Sequence, residues 1–177
     1  MTTYVVGGGC FWCIDAVFRR LKGVSNVESG YSNGDDERSP NYYRVASGST
    51  GYVEVVRVTF DETVIPSDVI LDLFFLLHNP TTLNQQGADI GTQYRSTLLF
   101  SDKAQQVAFK AARDRAQKVW QQNVVTEIAP LESFFVAESE HQDFYNKQPE
   151  SGYCQIVIEP KIAKARQQYL EWFEGGV

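Results

Sequence analysis

A chain of 177 residues, 43% hydrophobic and 21% charged, is sized and composed for one globular domain with a full core. Its net charge of −6, without a Lys- or Arg-rich run, argues against a nucleic-acid-binding surface. The N-terminal residues carry no basic region followed by an apolar stretch, and no apolar run reaches the length of a membrane span, so a cytoplasmic protein without membrane contact is expected.

Tyr4-Val5-Val6 predicts a strand. Gly7-Gly8-Gly9 then permits a tight turn and close backbone approach. Ile14, Val17, Phe18 and Leu21 recur at i, i+3, i+4 and i+7, one buried face of a helix that Gly23 ends. Cys10 therefore falls where strand becomes helix. The unpartnered N–H groups of a first helical turn carry positive partial charge, so a lowered thiol pKa and a nucleophilic role are expected. Phe11 and Trp12 beside it offer an apolar wall suited to a methyl or thioether group. Cys13 completes a Cys-x-x-Cys, and Cys154 brings the total to three. In a reducing compartment this pattern points to redox or metal chemistry, not to a structural disulfide framework.

Residues 24–31 read as a strand. Ser32-Asn33-Gly34-Asp35-Asp36 reads as a turn leading into a polar loop to Pro40, followed by a short helix or turn at 41–45. The strand over 52–60 is the clearest: Val56, Val58 and Phe60 alternate, with Glu54 in phase. The opposite face carries Val53, Val55, Arg57 and Thr59, so alternation leaves open which face is buried. An inward Glu54 would be desolvated, with a raised pKa suited to a general acid. An outward one would be an ordinary solvated glutamate.

Ile65-Pro66-Ser67-Asp68 opens a buried helix through Leu77, with His78 at its end. Residues 81–95 form a polar loop of a length associated with function. A strand at 97–100, a helix over 102–122 capped by Ser101 and a strand at 124–128 follow. An aromatic-rich stretch around His141 leads to a last strand at 155–158 and a C-terminal helix over 161–174. One sheet with helices on it accommodates either a doubly wound or an α+β arrangement.

Gly9-Cys10-Phe11-Trp12 resembles the active-site motif of the A-type peptide methionine sulfoxide reductases. Gly30-Tyr31-Ser32-Asn33-Gly34, Pro40-Asn41-Tyr42, Gly51-Tyr52-Val53-Glu54, Gly87-Ala88-Asp89-Ile90-Gly91-Thr92-Gln93-Tyr94-Arg95-Ser96, Glu140-His141-Gln142 and Gly152-Tyr153-Cys154 are similar to the family's other blocks, in its order. The resemblance spans about residues 4–158. It implies an α+β fold, a two-layer sandwich around a mixed β-sheet often described as ferredoxin-like. Residues 1–158 would form the family core and 159–177 a C-terminal helical extension of one catalytic domain. It further implies reduction of the S epimer of methionine sulfoxide, free or in proteins, as repair under oxidative stress. The protein would be a monomer with no bound cofactor or metal, recycled by an external dithiol, thioredoxin.

Residue by residue, Cys10 matches the nucleophile and Glu54 the acid that protonates the sulfoxide oxygen. Tyr42 and Tyr94 match hydroxyls that bind that oxygen. Tyr43 is an adjacent alternative to Tyr42, which keeps the family's spacing. Phe11 and Trp12 match the methyl pocket, and Asp89 helps hold substrate. Attack on sulfoxide sulfur needs its oxygen protonated at once, which suits a thiol beside a carboxylic acid. The product on Cys10 is a sulfenic acid, which a second thiol converts to a disulfide. Three departures bear on that thiol: Cys13 stands at a family glycine, Tyr52 replaces a histidine, and the glycine-rich cysteine tail is absent. Cys154, in an intact Gly-Tyr-Cys block, is the favoured direct resolver. Cys13, three residues from Cys10, is the other, and the two can act in relay. Two competing readings are a general disulfide oxidoreductase using Cys10 and Cys13, and a zinc-binding module using Cys10, Cys13, Cys154 and His141.

Overall fold

The computed structural model describes residues 1–35 and 39–175. Part of the expected turn and loop, residues 36–38, lies outside the described residues. In chain order the elements are β1 (Thr2–Gly7), α1 (Phe11–Phe18), β2 (Val24–Ser32), α2 (Tyr42–Ala46), β3 (Val53–Phe60), α3 (Ser67–Leu76), β4 (Gln85–Gln86), β5 (Asp89–Ile90), β6 (Thr97–Phe100), α4 (Lys103–Gln117), β7 (Glu127–Pro130), β8 (Phe135–Val136), α5 (Phe144–Lys147) and α6 (Glu159–Tyr169). Short 3₁₀ and π-helical turns join several of them.

Six strands form one sheet in the order β7-β6-β1-β3-β2-β8. β6 and β7 run parallel and the other pairs antiparallel, so the sheet is mixed and the class is α+β. Alternation divides the side chains between two cores. Tyr4, Val6, Val56, Val58, Phe60 and Leu98 join the helical residues Ile14, Val17, Phe74, Phe109 and Ala165 in the main core. Val5, Val53, Val55 and Leu99 point the other way, into a small core covered by Leu131 and Phe134. Glu54 shares the phase of Val56 and Val58, so it faces the helical side, and it is 1% exposed.

β1 stops where the backbones must crowd. A Cβ on Gly7 would stand 2.7 Å from the Glu54 carbonyl oxygen on β3. Gly9 has φ +87°, and a Cβ there would meet the Gln86 side chain at 2.7 Å. The chain can then turn into α1, nearly all of whose residues are buried. The one charge among them, Asp15, is held by Arg19 at 2.7 and 3.1 Å and by the Ser29 hydroxyl at 3.3 Å.

Several elements differ from expectation. The cap of α4 is Asp102, whose carboxylate accepts the Gln105 N–H at 2.8 Å, not Ser101. That helix stops at Gln117, because Gln117 folds back: its Nε2 donates to the Gln122 carbonyl and its Oε1 accepts the Val124 N–H. The strand that follows starts at Glu127 for the same reason. The long loop contains the β4–β5 hairpin. A two-residue edge strand, β8, pairs with β2.

The expected strand at 155–158 is instead π-helical, over Cys154–Ile158, and runs into α6. Cys154, Ile158, Ile162 and Ala165 are buried at helical spacing while Ile156 is 78% exposed. A strand would have buried Cys154, Ile156 and Ile158 together. Pro160 stands at the start of α6, where its ring crowds the carbonyl four residues back, and the wider π turn relieves that crowding. Beyond α6 the chain returns to α1. Phe173 is fully buried and bridges Leu21, and the Lys22 and Glu174 N–H groups bond the Trp172 and Arg20 carbonyls.

Candidate active site

Cys10 is the N-cap of α1, with extended backbone and no side-chain cap of its own. Directly beneath it, Glu54 Oε1 accepts the Phe11 N–H at 3.2 Å. Burial lifts the Glu54 carboxyl to about 8; the Phe11 N–H opposes the rise and the charge of Asp89 adds to it. Glu54 is therefore predominantly a neutral acid at pH 7.

The Cys10 thiol corrects the expectation of a lowered pKa. Burial pushes it well above its ordinary value, with Glu54 and Cys13 adding to the rise. Hydrogen bonding from the Trp12 N–H favours the thiolate but is outweighed. The helix terminus spends its first donor on Glu54, so less of its positive charge remains for the sulfur.

Tyr42 and Tyr94 are both half-buried beside this pair. Desolvation raises both phenols, and the charges of Glu54, Asp89 and Cys10 raise them further, so both remain protonated donors. Tyr43 is 84% exposed. Two supports hold Tyr42: its N–H bonds Glu138 Oε2 at 3.1 Å, and its ring stacks on His141 at 4.4 Å. Glu138 also accepts the Tyr31 hydroxyl, and Tyr31 lies opposite Glu54 in the β2–β3 ladder. Arg95 ties the Tyr94 turn to the chain before β3 by donating to the Thr92 and Gly51 carbonyls.

Trp12 lies flat on Phe144 at 3.7 Å and meets Tyr153 edge-on at 5.6 Å, which sets one aromatic wall. Phe11 is buried behind it against Tyr31 and His141. Asp89, on β5, accepts the Tyr153 hydroxyl at 3.3 Å. Its hairpin is tied to the chain just after α3 by Gln86, which bonds both backbone groups of Asn79 and packs against Gly9. Cys13 and Cys154 are both buried, and Cys13 Sγ lies 3.7 Å from the Tyr153 hydroxyl. Among the described residues, no three of Cys10, Cys13, Cys154 and His141 bring ligand atoms within 4.8 Å of one another; Glu138, Glu140 and His141 do. The zinc reading thus loses its ligand set. His78, buried next to Gly8, is bonded by both ring nitrogens, to the Phe74 carbonyl and to Ser96.

Sequence reasoning passed over Tyr153, Glu138, Gln86 and Phe144. Tyr153 and Glu138 carried a signal, the first within the Gly-Tyr-Cys block and the second three residues before His141. Gln86 and Phe144 act only through tertiary contact.

A cysteine on a helix N-terminus, a buried neutral acid below it, and phenols and an aromatic wall around it define a thiol redox site. The family profile described as "Peptide methionine sulfoxide reductase" matches residues 2–172. The protein called Peptide methionine sulfoxide reductase MsrA of Pseudarthrobacter chlorophenolicus is 56% identical over 97% of this chain and 98% of its own. The fold is similar to reduced Mxr1 of Saccharomyces cerevisiae, with TM-score 0.79, 33% identity and coverage of 86% of this chain and 88% of that one. Methionine sulfoxide reductase A of Corynebacterium diphtheriae gives TM-score 0.76, 28% identity and coverage of 84% and 76%. Mxr1 has also been solved in complex with Trx2, in a form with 23% identity, TM-score 0.56 and coverage of 81% and 84%. The chain belongs to the peptide methionine sulfoxide reductase family.

Proposed function

We propose that this chain reduces the S epimer of methionine sulfoxide, free or in proteins, with Cys10 as nucleophile and Glu54 as acid. The observation that carries the reading is the Phe11 N–H on Glu54 Oε1, which fixes that oxygen of a neutral carboxylic acid so that the other, Oε2, can protonate a substrate oxygen. The substrate methyl group lies against Phe11 and Trp12. Tyr42 and Tyr94 donate to the oxygen as the S–O bond polarises, and Asp89 helps hold the rest of the substrate.

Cys10 attacks sulfur as the oxygen takes the Glu54 proton, and the thiol proton restores Glu54. The oxygen passes to Cys10, methionine leaves, and Cys10 becomes a sulfenic acid: the sulfoxide sulfur gains two electrons and the Cys10 sulfur loses two. Cys154 or Cys13 then closes a disulfide, and a dithiol reductant of the thioredoxin type reopens it. No metal or bound cofactor takes part. We further infer one catalytic domain over 1–177, with a family core over 1–158, acting as a cytoplasmic monomer. We also infer that its α+β sheet and helices form a two-layer, ferredoxin-like sandwich.

The test is turnover of separate S and R epimers with dithiothreitol, in wild type and Cys10→Ser. Reduction of the S epimer alone, lost in the variant, is the expected result. Equal turnover of both epimers, or activity in Cys10→Ser, would overturn the assignment.

A further inference from the structure

We propose that Cys13, Tyr153 and Asp89 form a proton relay that activates Cys13 to close the first disulfide on Cys10. This rests on the reductase reading above and chooses between its two resolving thiols.

Cys13 is 1% exposed, so bulk water cannot take its proton. Its sulfur has one polar neighbour, the Tyr153 hydroxyl at 3.7 Å, among the hydrogen bonds of the described residues. That hydroxyl donates its single proton to Asp89 Oδ2 at 3.3 Å, because a carboxylate can only accept. The Tyr153 oxygen is then the acceptor for the Cys13 S–H. The result is a directed chain, S–H to phenol to carboxylate, from a buried thiol to a half-buried base. The Trp12 ring against the edge of Tyr153 holds the phenol in place.

Cys13 is also placed to react first. It occupies the third position of α1, three residues after the N-cap Cys10, and side chains at that spacing face each other about 5–6 Å apart. Cys13 raises the Cys10 thiol and Cys154 raises that of Cys13, so Cys13 is close enough to interact with both. A disulfide on Cys10 and Cys13 can therefore pass onward to Cys154.

The step balances without an external oxidant. Cys10–S–OH and Cys13–SH become Cys10–S–S–Cys13 and water: the S–O bond breaks and the S–S bond forms. The Cys13 sulfur supplies the electron pair of the S–S bond and the S–O pair leaves with the hydroxide, so the Cys10 sulfur is reduced and the Cys13 sulfur oxidised by one electron each, to the disulfide level. The Cys13 proton moves to the Tyr153 oxygen as the Tyr153 proton moves to Asp89. The departing hydroxide takes the Glu54 proton, and exchange with solvent resets both carboxyls.

The test is a single turnover with methionine-S-sulfoxide and no reductant, with acid quench, a sulfenic-acid trap and disulfide mapping. In wild type, one methionine per chain is released and the first disulfide joins Cys10 to Cys13. In Tyr153→Phe, which keeps the ring, the Cys10 sulfenic acid outlives the methionine burst by at least about tenfold relative to wild type. Raising the pH shortens that lifetime, since the thiol then ionises without a relay. In Cys13→Ser the sulfenic acid persists at every pH. A first disulfide between Cys10 and Cys154, wild-type resolution in Tyr153→Phe, or slowing that pH does not relieve would overturn the relay while the burst leaves the reductase reading intact. Absence of the methionine burst in wild type would overturn the reductase reading itself, and the relay with it.

Discussion

The backbone N–H of Phe11 meets Oε1 of Glu54 at 3.2 Å, so the first donor of α1 serves the carboxyl group proposed as the acid for Cys10. The bond fixes one carboxyl oxygen and opposes, without reversing, the rise that burial gives the group, which titrates near 8. A free carboxylate would be ionised and useless as an acid at neutral pH. Glu54→Gln keeps the shape but removes the proton, and kcat at neutral pH should fall by about 10²–10⁴. The wild-type rate should also decline as pH rises through about 8, with that limb absent from the variant's residual rate. Steady-state kinetics across pH on both proteins, with circular dichroism as a fold control, checks this; equal rates would remove the acid.

The same group ties stability to pH. Folded Glu54 holds its proton to about 8 whereas the unfolded side chain releases it near 4.5, so between these values the folded state binds more protons. Stability should therefore fall as pH rises across that window. His78 acts on the acid side. Burial lowers it to about 4, so between there and its unfolded value of about 6.5 the unfolded state binds more protons, and stability is lost as pH falls. Denaturation midpoints should peak between the two limbs. Glu54→Gln should flatten the alkaline limb and His78→Gln the acid one, and a limb unchanged in its variant would refute that assignment.

The turn at Gly9 should tolerate no side chain. Its φ of +87° and the Gln86 side chain 2.7 Å from a built Cβ combine strain with a clash. Gly9→Ala should cost about 1–2 kcal/mol from the backbone conformation alone, a drop in Tm of roughly 2–8 °C. Activity should fall further than stability, because the Gln86 side chain that would be displaced bonds Asn79 and stands opposite Asp89 in the β4–β5 hairpin. Melting curves and kcat/KM test both parts; a variant with wild-type Tm would show that the turn relaxes freely.

Much of this was legible in the chain because it depends on local pattern. Val56, Val58 and Phe60 predict a strand, and Gly7-Gly8-Gly9 before Ile14 and Val17 predicts the turn that presents Cys10. Alternation put Glu54 in phase with one apolar face, but only the packing of α1 and its neighbours on that face decided that Glu54 is buried. Local pattern misled at 155–158. The β-branched run there is helical because Cys154, Ile158, Ile162 and Ala165 bury one stripe, a tertiary demand that overrides propensity. The thiol titration was misjudged for a similar reason. A helix terminus lowers a pKa, but its first donor was committed to a residue 43 positions away.

Tyr42 and Tyr43 are adjacent in the chain and opposite in consequence. Asn41 caps α2 by accepting the Arg44 N–H at 2.9 Å, and the two rings meet edge-on at 6.1 Å. Tyr42 turns inward, pinned by Glu138 and His141, while Tyr43 is 84% exposed. Loss of one preorganised donor to a developing oxyanion typically costs 10²–10³ in rate; with Tyr94 still in place, Tyr42→Phe should cost about tenfold to a hundredfold. Tyr43→Phe should leave kcat/KM unchanged within about twofold, as expected for a surface side chain away from the chemistry. The double variant Tyr42→Phe/Tyr94→Phe should lose more than either single one, since in the proposed mechanism both phenols donate to the same oxygen. Parallel kinetics on the four proteins decides the matter: equal losses at Tyr42 and Tyr43 would mean that the inward ring is not the donor.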